Sequence, residues 1–161
     1  MKPLAQLPVE LKALNTAALI FVGLAVLMGL LYVDVSHLGA GGSYWIGPSN
    51  IAETYYGPGV GLVALISLAH IHMLGLFPVF WVVGFIFAHS SLRPCWKSGL
   101  VALPFAGFLL DVCGWFLTKT APGFVYIVLL GGGLFVLAIA SMVLLSLYEM
   151  WIGPLRRLPP A

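Results

Sequence analysis

Charged residues are scarce in this sequence. Only 7% of the 161 residues are Asp, Glu, Lys or Arg, 61% are hydrophobic, and the mean hydropathy is +1.09. Soluble domains carry about 25% charged residues. The shortage excludes an ordinary soluble domain and predicts an integral membrane protein whose surface meets lipid or other membrane subunits.

Clusters of positive charge and pairs of cysteines are also missing. The basic residues stand in ones and twos, so no run could follow a phosphate backbone, and a nucleic-acid partner is excluded. Cys95 and Cys113 are the only cysteines and form no CxxC pair, which argues against a thiol-disulfide enzyme and a thiolate zinc site. P-loop and dinucleotide fingerprints are absent, and no Ser, His and acid set suggests catalysis by spacing.

Four long apolar stretches are present. A bilayer core about 30 Å thick needs about 20 apolar residues in a helix. The predicted spans are 13–33, 60–88, 99–118 and 123–148, and Gly and Pro mark the breaks between them. The sequence therefore predicts one all-α integral membrane domain, 1–161, folded as an up-down bundle of four transmembrane helices.

The basic residues predict the orientation of the bundle. Six of the seven fall at the two termini or between the second and third spans: Lys2, Lys12, Arg93, Lys97, Arg156 and Arg157. Lys119 alone lies on the other side. Because loops rich in Lys and Arg stay in the cytoplasm, both termini are predicted to be cytoplasmic. The protein is expected to lie in the inner membrane of a bacterium.

The predicted outer loop, 34–59, has no Lys or Arg and is rich in aromatic residues. These are Tyr44, Trp45, Tyr55 and Tyr56. They suit an aromatic belt at the membrane surface. Alternatively, the loop folds back as a lid over a site or docks a periplasmic partner.

Three consecutive glycines, 131–133, interrupt the fourth span. Small residues expose backbone, so a neighbouring helix or a flat cofactor can approach closely. Helix packing is the favoured interpretation.

Ionisable groups within a span are costly and mark functional positions. His70 and His72 lie in the second span, and Asp111 lies in the third at a comparable depth in the outer half. We expect Asp111 to accept a hydrogen bond from one histidine, which would fix its tautomer and improve the other ring nitrogen as a ligand. The alternative is a neutral Asp111 bonded to a hydroxyl or carbonyl group.

Residues two apart on a helix point about 200° apart, so His70 and His72 cannot both face the bundle axis. One could bind a cofactor while the other pairs with Asp111, meets water or faces another subunit. Heme b needs one axial imidazole and, if six-coordinate, a second ligand. His37 and Met28 are the best placed for that position. Copper held by His70 or His72, His37, Asp111 and a methionine is the second candidate. Quinone or proton contact and a purely structural use remain open.

The stretch "HIHMLGLFPVFWVVGFIF", residues 70–87, resembles helices of membrane proteins related to heme-copper oxidase subunit I. In those proteins, such a histidine ligates heme or copper. The stretches "DVCGWFLTK" and "LLSLYEMW" resemble parts of small bacterial four-helix membrane proteins associated with respiratory chains. These resemblances imply a role in electron transfer, with His70 or His72 as the ligand.

The sequence thus favours a small subunit of a respiratory or photosynthetic electron-transfer complex over a stand-alone enzyme. Its expected partners are the bilayer, larger membrane subunits of that complex and a periplasmic electron carrier at loop 34–59. The competing hypothesis is a cofactor-free accessory or assembly subunit that packs against larger subunits. A membrane enzyme acting on a lipid ranks third.

Overall fold

The computed structural model describes residues 3–36 and 47–153. Five helices account for most of these residues: α1 (Val9–Ser36), α2 (Pro48–Tyr55), α3 (Leu62–Ala88), α4 (Pro94–Thr120) and α5 (Val125–Trp151). Short 3-10 turns at Leu4–Gln6 and Pro122–Phe124 precede α1 and α5. The described ranges contain no strand. The predicted all-α class is confirmed.

Four of these helices are long and apolar enough to cross a membrane, namely α1, α3, α4 and α5. A helix of 27 residues, such as α3, extends about 40 Å at 1.5 Å per residue. This exceeds the roughly 30 Å of hydrocarbon in a bilayer. The prediction of four membrane-spanning helices is therefore confirmed, and each helix is longer than the apolar layer is thick.

The helix bounds differ from the predicted spans mainly at the ends. Helix α1 begins four residues before residue 13, and α4 begins at Pro94, five residues before residue 99. Proline is favoured in the first turn of a helix because its missing N–H needs no partner there. Hydropathy marks only the lipid-buried part of a helix, so it misses the ends that enter the headgroup layer.

Helix α5 lies at the centre of the molecule and contacts each of the other four helices. Its most extensive contact is with α4, and α3 packs against both. Helix α1 packs on α5 and touches α3 only slightly, so that just 11% of its apolar stretch is buried, against 28–39% for the other spans. The bundle is thus a closely packed set of three spans with α1 at its edge.

Glycines allow α4 and α5 to approach closely. A Cβ added to Gly107 of α4 would lie 2.8 Å from the backbone nitrogen of Phe135, and one on Gly114 would lie 2.8 Å from that of Val128. A Cβ on Gly131 of α5 would collide with the backbone of Asp111, whereas one on Gly133 meets nothing within 4 Å. The first glycine of the triplet therefore serves helix packing, as predicted.

Polar contacts join three segments at one end of the bundle, which we call the basic end. The Glu149 carboxylate accepts the backbone N–H of Ser91 with both oxygens, at 2.6 and 2.9 Å. Lys97 donates to the carbonyl oxygens of Ala88 and Ser90, at 3.2 and 2.9 Å, which satisfies carbonyls left open where α3 ends. Because the N–H of Leu4 donates to the carbonyl of His89 at 3.0 Å, the start of the described chain lies at this same end.

The opposite end, which we call the loop end, is covered by α2. This helix starts with Pro48 in its first turn and packs against α4 and α5. Lys119, in the last turn of α4, donates to the carbonyl of Gly57 at 2.9 Å. The predicted outer loop 34–59 therefore contains a helix that folds back onto the bundle.

Candidate functional site

The indole of Trp115 lies at the centre of a group of polar and aromatic side chains near the loop end. It is only 6% exposed. The Tyr55 ring of α2 stacks on it at 5.8 Å between centroids, and the His72 ring of α3 meets it edge-on at 5.7 Å. Its Nε1–H donates to Oδ1 of Asp111 at 3.1 Å. We call Tyr55, His72, Asp111 and Trp115 the Trp115 cluster.

Asp111 is buried on α4, where its backbone packs against Gly131 of α5. Trp115 is its hydrogen-bond partner within the described residues. The expected hydrogen bond from His70 or His72 is not present: the carboxylate accepts from Trp115, while Nδ1 of His72 bonds to the Leu68 carbonyl and the His72 ring contacts the indole. An Asp and a Trp four residues apart share a helix face, and this spacing was the available signal in the sequence.

His72 is held by its own helix. Its Nδ1 forms a hydrogen bond with the carbonyl oxygen of Leu68 at 2.9 Å. Since a carbonyl can only accept, Nδ1 carries the proton, and in the neutral ring Nε2 keeps a free lone pair. Its ring is exposed at the surface of α3. A histidine fixed at Nδ1 by a carbonyl is the usual arrangement for a ligand that binds through Nε2.

His70 points elsewhere, as the 200° separation requires. Its side chain is exposed, and within residues 3–36 and 47–153 it has neither a hydrogen bond nor a ring contact. Helix α3 thus presents two histidines at its surface within the membrane, and only His72 touches Trp115.

The other predicted ligands do not join the Trp115 cluster. Met28 is 56% exposed on α1, and His37 lies outside the described residues. The part of the chain that the structure describes contains no group of three or more His, Cys, Asp and Glu side chains close enough to hold a metal ion. The residues present therefore fit a heme or copper site in one respect, because Nε2 of His72 is free to bind the metal. The Trp115 cluster does not complete the ligand set of such a metal.

The two interpretations of the outer loop each apply to part of it. Tyr55 is half-buried and stacks on Trp115, as expected for a lid, whereas the neighbouring Tyr56 is exposed, as expected for an aromatic belt. Tyr44 and Trp45 lie outside the described residues. Burial, and next the nearby Asp111 carboxylate, raise the pKa of Tyr55 to about 12. The phenol is therefore neutral at physiological pH.

Four helices that are long and apolar enough to cross a membrane define a multi-pass α-helical membrane protein. The chain belongs to a family described as a transmembrane helical domain, whose model matches residues 47–157. The match includes α2 to α5 and the whole Trp115 cluster. Comparison with curated proteins and with solved structures gives no match.

Proposed function

We propose that this protein is a small membrane subunit of an electron-transfer complex, and that His72 ligates heme b or copper through Nε2. The observation that carries the proposal is the state of the His72 ring. Its Nδ1–H is held by the Leu68 carbonyl and its edge by Trp115, so Nε2 is oriented and has a free lone pair. A bound heme b or copper ion would supply one-electron transfer.

The remaining residues of the cluster would position this ligand. Trp115 packs against the His72 ring, and Asp111 holds the indole through its Nε1–H. Tyr55 stacks on the indole from the loop end and would shield it from water. Asp111 is thus proposed as a positioning residue that acts on His72 through Trp115, rather than by direct contact.

The proposed setting is the inner membrane of a bacterium, with the loop end facing the periplasm. The exposed position of His72 would place the cofactor between α3 and a larger membrane subunit, which supplies the missing ligand. A periplasmic electron carrier would approach at the outer loop, 34–59, which contains no Lys or Arg.

A cofactor-free accessory subunit is the second candidate, and His70 is the observation that favours it. Its imidazole lies at membrane depth on the exposed surface of α3, and within the described residues nothing satisfies its hydrogen-bonding groups. An unpaired polar ring in hydrocarbon is costly. A neighbouring subunit that donates to or accepts from His70 would remove this cost without any metal.

An absorption spectrum separates the two candidates. We expect the protein, purified in mild detergent together with the membrane subunits that stay bound to it, to show a Soret band that shifts on reduction with dithionite, or stoichiometric copper by elemental analysis. His72→Ala should abolish the band or the copper. His89→Ala is the matched control, because His89 makes the same Nδ1 bond, to the Phe85 carbonyl at 2.9 Å, but at the basic end.

The histidine variants also show which of the two histidines is the ligand. If His70→Ala removes the pigment and His72→Ala does not, the ligand is His70 and the role given to Trp115 is wrong. A colourless, metal-free wild-type protein that still co-purifies with a larger membrane subunit would reject the redox role and leave the accessory role.

A further inference from the structure

A cleft lies between α1 and α3 at the basic end. Its volume is about 320 Å³, at the lower end of the range for small-molecule sites. It is lined by Leu14, Asn15 and Ala18 of α1 and by Trp81, Val82, Phe85 and Ile86 of α3. The cleft forms because α1 packs on α5 and touches α3 only slightly.

The cleft lies inside the apolar layer, close to its boundary. Asn15 is six residues from the start of α1, or about 9 Å along the helix at 1.5 Å per residue, and Trp81 is seven residues from the end of α3, or about 10 Å. A molecule that reaches both residues would therefore sit just beneath the lipid headgroups.

Asn15 is the polar group of the cleft. Its amide is half-buried and has no hydrogen-bond partner within the described residues. The polar neighbours on α1 are engaged elsewhere: Thr16 accepts the Nε1–H of Trp151 at 2.9 Å, and the Lys12 ammonium lies over the Trp151 ring at 5.8 Å. The cleft thus offers an uncharged amide donor and no charged side chain.

Two aromatic rings form the α3 wall. Trp81 stacks on Phe77 with 6.2 Å between centroids, and Phe85 meets the His89 ring at 5.2 Å. Trp81 and Phe85 are more than half exposed. Their free faces are therefore available to a flat, apolar molecule that enters from the bilayer.

We propose that this cleft binds the ring of a membrane quinone. A quinone is neutral and flat and has carbonyl oxygens that accept hydrogen bonds, so the Asn15 amide would donate to one carbonyl while the ring packs against Trp81 and Phe85. The isoprenoid tail would extend into the surrounding lipid. A phospholipid fits less well, because its phosphate would lie at uncharged walls.

Packed rings connect the cleft to the Trp115 cluster. Successive centroids lie 5.2 to 6.3 Å apart along Trp81, Phe77, Phe105, Phe80, Phe108, Trp115 and His72. Quinone binding rests on the cleft alone and does not depend on a cofactor at His72. If both proposals hold, the two sites share α3 and are joined by packed side chains rather than by lipid.

Binding of tritiated decylubiquinone to the full chain in lipid nanodiscs tests the proposal, with empty nanodiscs as the blank. We expect saturable binding above the blank. Asn15→Leu and Trp81→Leu should each weaken it about tenfold or more, which corresponds to the loss of one hydrogen bond or ring contact. Helix content by circular dichroism shows whether each variant is folded.

Two matched variants serve as controls. Thr16→Val removes the hydroxyl that follows Asn15 on α1 and that bonds to Trp151. Trp96→Leu removes an indole of α4 that is 66% exposed, similar to the 62% of Trp81. Neither should change the affinity by more than about twofold. Binding that is not saturable, or that all four variants retain, would overturn the proposal. The proposal would also be overturned if native mass spectrometry finds a bound phospholipid that decylubiquinone does not displace.

His72→Ala separates this proposal from the function proposed above. The variant should bind decylubiquinone as the wild type does, even where it has lost a Soret band or copper. If His72→Ala abolishes quinone binding, the quinone is held at the Trp115 cluster and the assignment to the α1–α3 cleft is wrong.

Discussion

At the scale of single residues, the indole of Trp115 determines how the cluster is connected. It holds the buried Asp111 by a hydrogen bond and contacts rings from α2 and α3. A polar group that loses its partner in an apolar interior bears the full cost of desolvation. Trp115 therefore supports Asp111 as well as His72.

Replacing Trp115 with Phe should destabilise the protein by about 1 to 3 kcal/mol, because an aromatic ring remains but the donor to Asp111 is lost. The measurement is the free energy of unfolding in mixed micelles. Trp115→Phe combined with Asp111→Leu should recover part of the loss, since neither buried polar group then remains. A double variant no better than Trp115→Phe alone would show that ring packing, and not the hydrogen bond, is what was lost.

Tyr55 gives a prediction for alkaline pH. Its pKa is raised from 10.0 to about 12 in the folded protein, so the folded chain holds this proton more tightly than the unfolded chain does. The resulting stabilisation is present below pH 10 and is lost as the pH rises from 10 to 12. Unfolding measured across this range should show less alkaline loss in Tyr55→Phe than in the wild type. Tyr56→Phe, at an exposed neighbour, should behave like the wild type.

The sequence predicted which residues of this site lie at a similar level in the bundle, but not which of their side chains are in contact. The span lengths placed Asp111 near the level of the histidines, and the helical repeat predicted that His70 and His72 diverge. The repeat could not show which ring would lie beside the carboxylate, because the rotation of α3 against α4 is set by side-chain packing between them. A Trp four residues after Asp111 reaches it within one helix, so no histidine needs to.

At the scale of helices, the α4–α5 pair depends on which glycine faces its neighbour. Gly131 packs against the backbone of Asp111, while Gly133 faces open space. Membrane helices gain little from hydrophobic burial, so close packing and interhelical contacts carry their association. The two glycines should therefore tolerate substitution very differently.

Gly131→Ala should force α4 and α5 apart and cost about 3 kcal/mol, at the upper end of the usual range for overpacking. Gly133→Ala should leave stability unchanged or raise it by up to about 1 kcal/mol, since alanine favours a helix. Thermal unfolding of the two variants in one detergent provides the comparison. Equal melting temperatures would contradict the assigned contact.

The long helices were predictable, whereas α2 was not. Twenty or more apolar residues have few alternatives in a bilayer, so hydropathy alone located four spans. Helix α2 has only eight residues, too few to be stable alone. It is held by the stacking of Tyr55 on Trp115 and by the bond from Lys119 to Gly57, and contacts between such distant residues leave no local pattern.

At the scale of the whole molecule, the two exposed cysteines can report the predicted orientation. Cys95 lies in the first turn of α4 at the basic end, and Cys113 lies within the span. A membrane-impermeant maleimide should label Cys95 in inverted vesicles but not in intact spheroplasts. Cys113 should stay unlabelled in both, because a thiol in lipid does not ionise.

A second cysteine position provides the control for this labelling. In a Cys95→Ser background, Ser49→Cys places an exposed thiol on α2 at the loop end, and it should be labelled in spheroplasts. Labelling of Cys95 from outside the cell would reverse the predicted orientation, and the loop end would then face the cytoplasm.

The light attachment of α1 has a consequence for the compartments that the chain ends reach. The family match begins at residue 47 and so includes three crossings, α3, α4 and α5, but not α1. A segment that crosses the membrane three times has its two ends on opposite sides. Helix α1 buries little surface, but it raises the number of crossings from three to four. The first residue of α1, Val9, and the last residue of α5, Trp151, consequently face the same compartment.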